Sequence, residues 1–455
     1  MAYIKNTGTL LSQGNVKLRQ TALEIIEAAL AGADPYKATC DLLSFKENVL
    51  TVGDLRYDLT PQQRIFLLGA GKATYPIARA LEDILGNRIT YGVVVCKYGQ
   101  EGKLSRSRLY LSSHPIPDEA GFSAAREALD LAGKTGPGDI IFGCITGGSS
   151  ALLPYPVPGI SLDDKKEVNQ LLLTCGANII EINAVRKHLS LVKGGRLAQA
   201  IHPDAHLINL TVSDVIGDPL DYITDPTVPD TSDFLDARAT LSEYDLWGKV
   251  PSSVSQYLRG AGPDQETPKE KDLSEHHRSD FVIVAGDAAC VAAADKAKEL
   301  SFNTIILSTM LEGESRELGR TFAAIANEIV LNQRPLKSPC AVIGGGETTV
   351  KILENTAGIG GPNQEFAVGA SPYIDDIGSV VVVGFDSDGT DGPTDLAGAI
   401  VDEKTASRAQ ALDIDIHACL NRHDVTPAVL KLQDAIITGS TGTNVNDLKI
   451  MLISE

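Results

Sequence analysis

A glycine-rich segment with a lysine at its centre, residues 69–74 (Gly-Ala-Gly-Lys-Ala-Thr), directly follows a short apolar run. Its glycines allow the backbone to approach a ligand closely, and Lys72 supplies a point charge suited to a phosphate or a carboxylate. The segment is not a Walker A loop, because Phe66 stands where that motif needs its first glycine, and Thr74 replaces the third glycine of a dinucleotide fingerprint. The pattern predicts an anion-binding turn, while a tight turn with a solvated lysine fits the same residues.

Two adjacent serines follow two glycines in residues 146–151 (Thr-Gly-Gly-Ser-Ser-Ala), again behind an apolar run. The arrangement differs from the nucleophile elbow of serine hydrolases, because Ala151 occupies the position of its last glycine. A hydrolase is therefore disfavoured. The hydroxyls of Ser149 and Ser150 can instead donate hydrogen bonds to substrate oxygens, and a serine helix cap is the structural alternative.

Basic residues are concentrated between positions 183 and 196 of a chain that is otherwise strongly acidic. Arg186 can grip a carboxylate through two parallel hydrogen bonds, and Lys187 or Lys193 can balance the charge of a phosphate. We interpret the segment as an anion clamp. A solvated basic helix face is the alternative, and it applies more to Lys193 and Arg196 than to the adjacent Arg186 and Lys187.

Acidic side chains follow two of the predicted strands. Asp214 comes just after the apolar residues 205–212, a common position for a base or a metal-binding carboxylate. Residues 386–392 (Asp-Ser-Asp-Gly-Thr-Asp-Gly) crowd carboxylates together after residues 380–384, but Asp391 breaks the EF-hand pattern. Crowded carboxylates repel one another unless a cation binds them, so Mg²⁺ is predicted here, with a solvated turn as the alternative.

Glycines also end a strand in the second half of the chain, at residues 344–349 (Gly-Gly-Gly-Glu-Thr-Thr). A further glycine-rich stretch, residues 358–365 (Gly-Ile-Gly-Gly-Pro-Asn-Gln-Glu), opens a predicted helix. Successive glycines after a buried strand are costly to order and usually mark a close approach between the backbone and a ligand. Both stretches are therefore candidate ligand contacts.

The composition is typical of a two-domain cytoplasmic enzyme. The chain has 455 residues, with 43% hydrophobic and 22% charged residues, which exceeds one average domain and fits a globular protein. Its formal charge of −19 disfavours a nucleic-acid partner. We find no apolar run of about 18 residues and no signal-peptide pattern, so we expect no membrane association. The 7 cysteines are scattered without a Cys-x-x-Cys pair, which predicts neither disulfides nor a zinc site.

The elements that must position these residues alternate between strands and helices. A helical pattern at 15–32 is followed by predicted strands and helices at 64–71, 91–96, 123–132, 139–145 and 205–212. Such alternation predicts an α/β fold with a mostly parallel sheet covered on both faces. The charged stretch 260–279 interrupts it, and a second α/β unit follows. We predict an N-terminal domain over 1–262, a linker or surface loop over 263–279, and a C-terminal domain over 280–455.

The order and spacing of the motifs resemble the glycerate 2-kinase (MOFRL) family over nearly the whole chain. The segments that carry the resemblance are 69–74, 114–118, 146–153, 183–190, 213–218, 344–350, 360–365, 386–395 and 441–444. The resemblance implies a Rossmann-like N-terminal domain, a C-terminal MOFRL domain and an active site in the cleft between them. It also implies ATP- and Mg²⁺-dependent phosphorylation of D-glycerate at its 2-hydroxyl to 2-phosphoglycerate, with a homodimer left open as an assembly state.

The resemblance assigns roles to residues in both halves of the chain. By this assignment Lys72 and Asp214 act in catalysis, Ser149, Ser150, Arg186, Lys187, Asn363 and Glu365 bind the acid, Gly69, Gly71, Gly345, Gly346 and Glu347 contact the nucleotide, and Asp386 and Asp391 bind the metal.

One residue departs from the family pattern. The family's usual sequence is Gly-Gly-Arg-Asn-Gln-Glu, whereas this chain has Pro362 in place of the arginine. The change removes a cation from the implied anion site. This leaves open a different hydroxy acid or sugar acid as substrate, and also a non-catalytic homologue that binds an acid metabolite. An NAD(P)H-dependent hydroxypyruvate or tartronate semialdehyde reductase is the main rival, although neither glycine-rich strand end supplies a full dinucleotide fingerprint.

Overall fold

A computed structural model describes residues 2–100, 102–215, 217, 219–352 and 358–454. None of the helices in these ranges combines the length and the apolar composition that crossing a bilayer requires.

The strands, numbered in chain order, are β1 Leu43–Lys46, β2 Val49–Val52, β3 Leu55–Asp58, β4 Ile65–Ala70, β5 Ile89–Lys97, β6 Ser107–Ser112, β7 Ile140–Ile145, β8 His206–Val212, β9 His277–Val284, β10 Asn303–Leu311, β11 Cys340–Gly346, β12 Val380–Asp386, β13 Gly398–Asp402, β14 Ala435–Ile436 and β15 Asp447–Ile453.

The helices are α1 Thr7–Leu10, α2 Val16–Gly32, α3 Pro35–Leu42, α4 Thr74–Leu85, α5 Glu119–Ala132, α6 Ser149–Leu152, α7 Leu162–Thr174, α8 Ile179–His188, α9 Arg196–Ala200, α10 Leu220–Ile223, α11 Phe234–Glu243, α12 Ser252–Gly260, α13 Ala288–Glu299, α14 Ser315–Asn332, α15 Pro362–Ala370, α16 Thr405–Ala411, α17 Ile416–Asn421 and α18 Thr426–Lys431. Short 3₁₀ turns occupy Gly86–Arg88, Asp225–Thr227, Pro263–Gln265, Glu270–Leu273 and Ser371–Tyr373.

The chain forms two compact units. The parallel-sheet unit comprises Pro35–Ser213 and Asp218–Ile283, and the mixed-sheet unit comprises Met1–Asp34, Asp214–Gly217 and Val284–Glu455. This division differs from the predicted boundaries at both ends of the N-terminal domain. The first 34 residues belong to the mixed-sheet unit, and the predicted linker 263–279 belongs to the parallel-sheet unit, where Leu273 enters the apolar core. Most residues of this stretch are polar or charged, so its sequence did not indicate that Leu273 packs in the core.

The parallel-sheet unit has the strand order β6-β5-β4-β7-β8-β9. The pairs β5–β6, β4–β5, β4–β7 and β7–β8 are parallel, which confirms the predicted sheet type. All residues of β4 and β7 are buried, as parallel strands covered on both faces should be. The chain runs outward from β4 to β6 and then returns to β7, so the strand order reverses between β4 and β7. Ligands of open α/β sheets bind at such a reversal, beyond the carboxyl ends of the strands.

The mixed-sheet unit has the strand order β10-β11-β15-β12-β13-β14. Only β10 and β11 pair in parallel among these neighbours; β15 pairs antiparallel with both β11 and β12. Asp447, the first residue of β15, lies opposite Gly346 and Asp386, the last residues of β11 and β12. The loops that follow β11 and β12 therefore meet the segment that precedes β15 at one edge of the sheet.

Candidate functional site

The turns after β4 and β7 are joined by hydrogen bonds at the strand-order reversal. The N–H of Lys72 donates to the carbonyl of Gly147 at 2.9 Å, and the N–H of Ala73 donates to Oγ1 of Thr146 at 3.1 Å. Gly71 has a φ of 142°, and a Cβ there would lie 2.0 Å from Oγ1 of Thr146. Glycine is required at position 71 because the two turns pass so closely.

This packing changes the interpretation of the first glycine-rich segment. Gly69 lies inside β4, where a Cβ would sit 2.6 Å from Cγ2 of Thr74, so it makes room for the helix that follows. The N–H of Gly71 donates to the carbonyl of Val95 at 3.1 Å. The N–H groups of residues 71–73 thus all have acceptors within the protein, and the nucleotide contacts of Gly69 and Gly71 stay a prediction.

The turn after β7, unlike the turn after β4, has backbone N–H groups that can bind an anion. The backbone N–H groups of Gly147 and Gly148 find no acceptor among the described residues. Gly148 has a φ of 86°, and a Cβ there would lie 3.2 Å from the ring of His114 and 3.3 Å from Cγ of Lys72. Two N–H donors therefore lie beside the lysine and histidine side chains, which suits an anionic group.

A cavity of about 610 Å³ lies beside this turn, within the parallel-sheet unit. Its wall includes His114, Gly148 and Ser150 on one side, and Asn169 of α7 and Arg186 of α8 on the other. Its volume is in the range of small-molecule sites, about 300–1,000 Å³. Of the predicted acid-binding residues, Ser150 and Arg186 line it.

Arg186 is held in place at the cavity wall. Its Nε donates to Oδ1 of Asn169 at 3.1 Å, which leaves the terminal nitrogens of the guanidinium to contact a ligand. Burial lowers the pKa of Arg186, although a guanidinium stays charged at any physiological pH. A half-buried arginine in a cavity wall is well suited to bind a carboxylate.

Lys187 and Ser149 do not line the cavity. The Nζ of Lys187 binds the carboxylates of Asp221 and, at 3.0 Å, Asp230. Burial lowers the pKa of Lys187, but nearby carboxylates outweigh burial and raise it. Lys187 is therefore a structural cation, and its prediction as an acid-binding residue is not supported by this geometry. Ser149 is buried at the start of α6.

In the mixed-sheet unit, Asn363 lies in an internal polar network. Its Nδ2 donates to Oδ1 of Asp447 at 2.7 Å and to Oδ1 of Asp391 at 3.2 Å, while its Oδ1 accepts from Nζ of Lys449. Only 1% of Asn363 is exposed. All polar atoms of its side chain are thus satisfied within the protein.

Asp391 caps α15, the helix that contains Asn363. Its carboxylate accepts the backbone N–H of Asn363 at 2.9 Å and of Gln364 at 2.8 Å, besides both side-chain amides. Burial raises the pKa of Asp391 to about 6, against the opposing effect of the N–H donors. A fully buried carboxylate with four donors is a helix cap, so Asp391 does not fit its predicted role as a metal ligand.

Glu365 is buried in the same helix. Its Oε1 contacts Nδ1 of His423 at 2.8 Å, and its Oε2 has no hydrogen-bond partner among the described residues. Burial raises the pKa of Glu365. Glu365 and His423 form a buried pair, and direct contact of Glu365 with an acid substrate would require it to become accessible.

The glycines that end β11 are explained by packing. A Cβ at Gly345 would lie 2.6 Å from Sγ of Cys290, and one at Gly346 would lie 2.3 Å from the carbonyl oxygen of Leu311. Both residues lie in the strand, close to neighbouring elements. Glu347, the next residue, is exposed beyond the strand end.

Asp214, predicted to act in catalysis, and Asp386, predicted to bind the metal, are both partly accessible in the mixed-sheet unit. Oδ2 of Asp214 accepts from Nδ2 of Asn444 at 2.8 Å, which ties it to the segment preceding β15. Oδ1 of Asp386 accepts the N–H of Asp388 at 2.9 Å. Among the described residues, no group of three or more His, Cys, Asp or Glu side chains is arranged to hold a metal ion.

That absence still permits Mg²⁺, because this ion is usually bound by one or two carboxylates together with phosphate oxygens and water. Asp386 fits this donor set better than Asp391 does.

Sequence reasoning missed several residues that the structure brings to these places. His114 and Asn169 line the cavity, while His423, Asp447 and Lys449 hold the buried network of α15. His114 lies in one of the segments that carried the family resemblance. The others are single polar residues within apolar or helical stretches, and only the fold reveals their partners.

Two family models match the chain. A domain described as "Domain of unknown function (DUF4147)" matches residues 21–259, and the MOFRL family matches residues 340–447. The chain is also 35% identical over 452 residues to a putative hydroxypyruvate reductase of Agrobacterium vitis, which covers 99% of the chain and 98% of that protein.

Two glycerate 2-kinases are more similar to the chain than that protein is. The chain is 40% identical to a glycerate 2-kinase of Pyrococcus horikoshii and 40% identical to a D-glycerate 2-kinase of Thermotoga maritima, each match covering 96% of the chain and 98% of the relative. The crystal structure of a glycerate kinase from Thermotoga maritima matches with a TM-score of 0.81 at 38% identity, over 96% of this chain and 99% of that one. Since these relatives are 40% identical over 96% of the chain, and the MOFRL model matches residues 340–447, the chain is a kinase and belongs to the glycerate 2-kinase family.

Proposed function

We propose that the chain is an ATP- and Mg²⁺-dependent kinase that phosphorylates the 2-hydroxyl of D-glycerate, or of a closely related hydroxy acid, to give 2-phosphoglycerate or its counterpart. The observation that carries the proposal is the cavity of about 610 Å³ at the strand-order reversal, with Arg186 in one wall and Ser150 in the other. Relatives named as glycerate 2-kinases support the choice of substrate.

The acid is proposed to bind through its carboxylate and its hydroxyl groups. The guanidinium of Arg186 pairs with the carboxylate, and Asn169 fixes the direction of Arg186 through the bond to Nε. Ser150 lines the same cavity and can hydrogen-bond a hydroxyl group of the acid. The cavity is larger than glycerate needs, so it leaves space for a phosphoryl group or for a longer acid.

The phosphoryl group is proposed to lie near Lys72 and the turn after β7. The unused N–H groups of Gly147 and Gly148 and the amine of Lys72 can stabilise charge on phosphoryl oxygens. When bound, MgATP supplies the phosphoryl group and neutralises part of its charge. Asp386 is proposed as a metal ligand, with Glu347 near the nucleotide.

Asp214 is proposed as the base or as a further metal ligand. The side-chain amide of Asn444 donates to Oδ2 of Asp214 and so fixes the orientation of the carboxylate. A partly exposed carboxylate can move a proton from a hydroxyl that is being phosphorylated.

Pro362 begins α15 in the position where the family has arginine. Proline suits the first position of a helix, because its missing N–H would have no partner there. The substitution therefore costs the fold nothing and removes one cation. We propose that it alters which acid is preferred and leaves phosphoryl transfer intact.

The proposal is tested by measuring ADP release from MgATP with D-glycerate, L-glycerate and four-carbon sugar acids, alongside NADH and NADPH oxidation with hydroxypyruvate. We expect ADP release that depends on D-glycerate or on one related acid. NADH oxidation without ADP release would favour the reductase, and acid binding without either reaction would favour a non-catalytic homologue.

Lys72→Met provides the test of the site itself. Removing an amine that stabilises the transferring group should lower kcat/KM by about 100-fold or more. Lys134→Met removes the same charge from an exposed position of the parallel-sheet unit and is the matched control. Equal turnover of the two variants would contradict the placement of the phosphoryl group.

A further inference from the structure

Lys165 is a lysine on the buried face of a helix. The buried residues of α7 are Leu162, Lys165, Val168 and Leu172, and Val168 and Leu172 pack in the cluster that contains Val185 of α8. Only 2% of Lys165 is exposed, and its Nζ has no hydrogen-bond partner among the described residues. A buried amine without a partner is costly, so its presence in an apolar stripe calls for an explanation.

The charges around Lys165 do not balance. Lys193 and Arg186 act on it as cations, and Asp225 is the carboxylate that opposes them. Asp225 is already bound by Nζ of Lys193 and by the N–H of Gly194. Burial, followed by the two cations, lowers the pKa of Lys165 to about 7. The cations that act on the amine thus outnumber the carboxylate that opposes them.

The other lysines nearby are already paired. Lys187 of α8 binds Asp221 and Asp230. Lys166, next to Lys165 on α7, pairs with Asp163 at 3.1 Å at the surface. Neither pair supplies a further negative charge to Lys165.

The cavity supplies a place for a further negative charge. Arg186, whose charge acts on Lys165, lines the cavity, and Asn169 of α7 binds its Nε. An anionic group held by Arg186 would bring a negative charge to the same cluster of cations. The ammonium form of Lys165 is then favoured over the neutral amine.

We propose that Lys165 is a positioning residue for the Arg186 cavity, and that its buried amine takes up one proton from solvent when the carboxylate or phosphate group of a ligand binds to Arg186. The inference rests on the proposed function, since it places the acid in that cavity. Because the bound form holds more protons, the affinity for the anion decreases as the pH rises above 7.

The test is calorimetric titration of the full chain with D-glycerate at pH 7.5, in buffers with low and high enthalpies of ionisation. The dependence of the observed heat on that enthalpy gives the number of protons taken up. We expect about 0.3–0.8 proton per D-glycerate in the parent protein, since the amine is only partly protonated at this pH. In Lys165→Met the uptake should fall below about 0.1 proton, and the affinity should no longer change between pH 7 and pH 9.

Lys166→Met is the matched control, because Lys166 also lines the cavity, but its amine is partly exposed and pairs with Asp163. It should keep the proton uptake of the parent whatever its effect on affinity. Equal uptake in the parent and Lys165→Met would overturn the proposal, and so would binding of D-glycerate by the parent without proton uptake, which would leave the proposed function standing.

Inorganic phosphate is the second probe. If D-glycerate does not bind but phosphate binds with an uptake that depends on Lys165, the coupling is supported and the proposed substrate is wrong. Binding of neither probe by the parent would overturn both the cavity assignment and the coupling.

Discussion

Arg186 is the residue whose chemistry most directly limits the choice of ligand. A guanidinium presents two parallel N–H donors to a carboxylate, whereas an ammonium presents a point charge. We therefore expect Arg186→Lys to raise KM for the acid by about 10- to 100-fold, with a smaller effect on kcat, because ground-state and transition-state binding are lost together. Initial rates over a range of D-glycerate concentrations measure the split.

Arg126→Lys is the control for Arg186→Lys, since Arg126 is exposed on α5 away from the cavity wall. Its kinetic constants should equal those of the parent. A kcat that falls while KM stays unchanged in Arg186→Lys would instead place Arg186 at the transferring phosphoryl group.

The buried amine of Lys165 should also make the free energy of unfolding depend on pH. Its pKa is about 7 in the folded chain, against an ordinary value of 10.5, so between these limits the unfolded chain binds more protons than the folded one. Lys165 therefore destabilises the folded parent protein most below pH 7, and this destabilisation decreases as the pH rises toward 10. Lys165→Met should raise the free energy of unfolding by about 3–5 kcal/mol at pH 6.

Urea unfolding of the parent and Lys165→Met at pH 6, 7.5 and 9 measures this gain, which should shrink with rising pH. A gain that is the same at all three values would mean that the amine titrates normally in the folded chain. A stabilising substitution that abolishes proton-coupled binding would show that the residue is kept for binding at a cost in stability.

At the scale of elements, the turns after β4 and β7 must fit each other before Lys72 and Gly148 can face the same ligand. A Cβ at Gly71 would collide with Thr146, so Gly71→Ala should separate these turns and lower kcat/KM by about 100-fold or more. Gly138 also has a positive φ, of 78°, but nothing lies within 4 Å of a Cβ built there. Gly138→Ala should therefore cost only the backbone strain, about 1 kcal/mol, and leave activity unchanged.

Activity assays and urea unfolding of both variants separate the two effects. If Gly71→Ala and Gly138→Ala lose equal activity, close packing of the turns is not what the site requires.

Local patterns predicted the elements of the parallel sheet, but they could not predict most contacts of the site. The apolar runs of β4 and β7 stand out because parallel strands are buried on both faces. Lys187 pairs with Asp230, which is 43 residues away, and Asn363 binds Asp447, which is 84 residues away. Whether a polar residue is free to bind a ligand depends on such distant partners, and one sequence does not contain them explicitly.

At the scale of the whole molecule, the chain does not divide where its charge pattern changes. The mixed-sheet unit is built from both ends of the chain, with α2 packed so closely on α13 that a Cβ at Gly32 would lie 2.3 Å from Cβ of Ala292. The helix itself was predicted from its apolar spacing. Its association with residues more than 250 positions later could not be predicted, since helical spacing shows that a face is buried but not what covers it.

Arg19 is the polar anchor of this association. Its guanidinium is fully buried, with Nε on Asp402 and Nη1 on Asp434 at 2.8 Å. Burial raises the pKa of Asp402, but Arg19 and backbone donors outweigh burial and hold it below its ordinary value. Arg19→Met leaves two buried carboxylates short of a cation, so we expect the free energy of unfolding at pH 7.5 to fall by about 3–5 kcal/mol.

The part of the loss that comes from Asp402 should become smaller as the pH falls below 3.8, because a depressed carboxyl pKa contributes stability that disappears only when the group is protonated in the folded chain. Lys17→Met, on the exposed face of the same helix, is the control and should unfold with the parent at each pH. Urea unfolding at pH 7.5 and at about pH 3 distinguishes the variants. If Arg19→Met is as stable as Lys17→Met at pH 7.5, the first 34 residues are held by their apolar contacts alone, and the ion pairs only fix the register of α2 on the sheet.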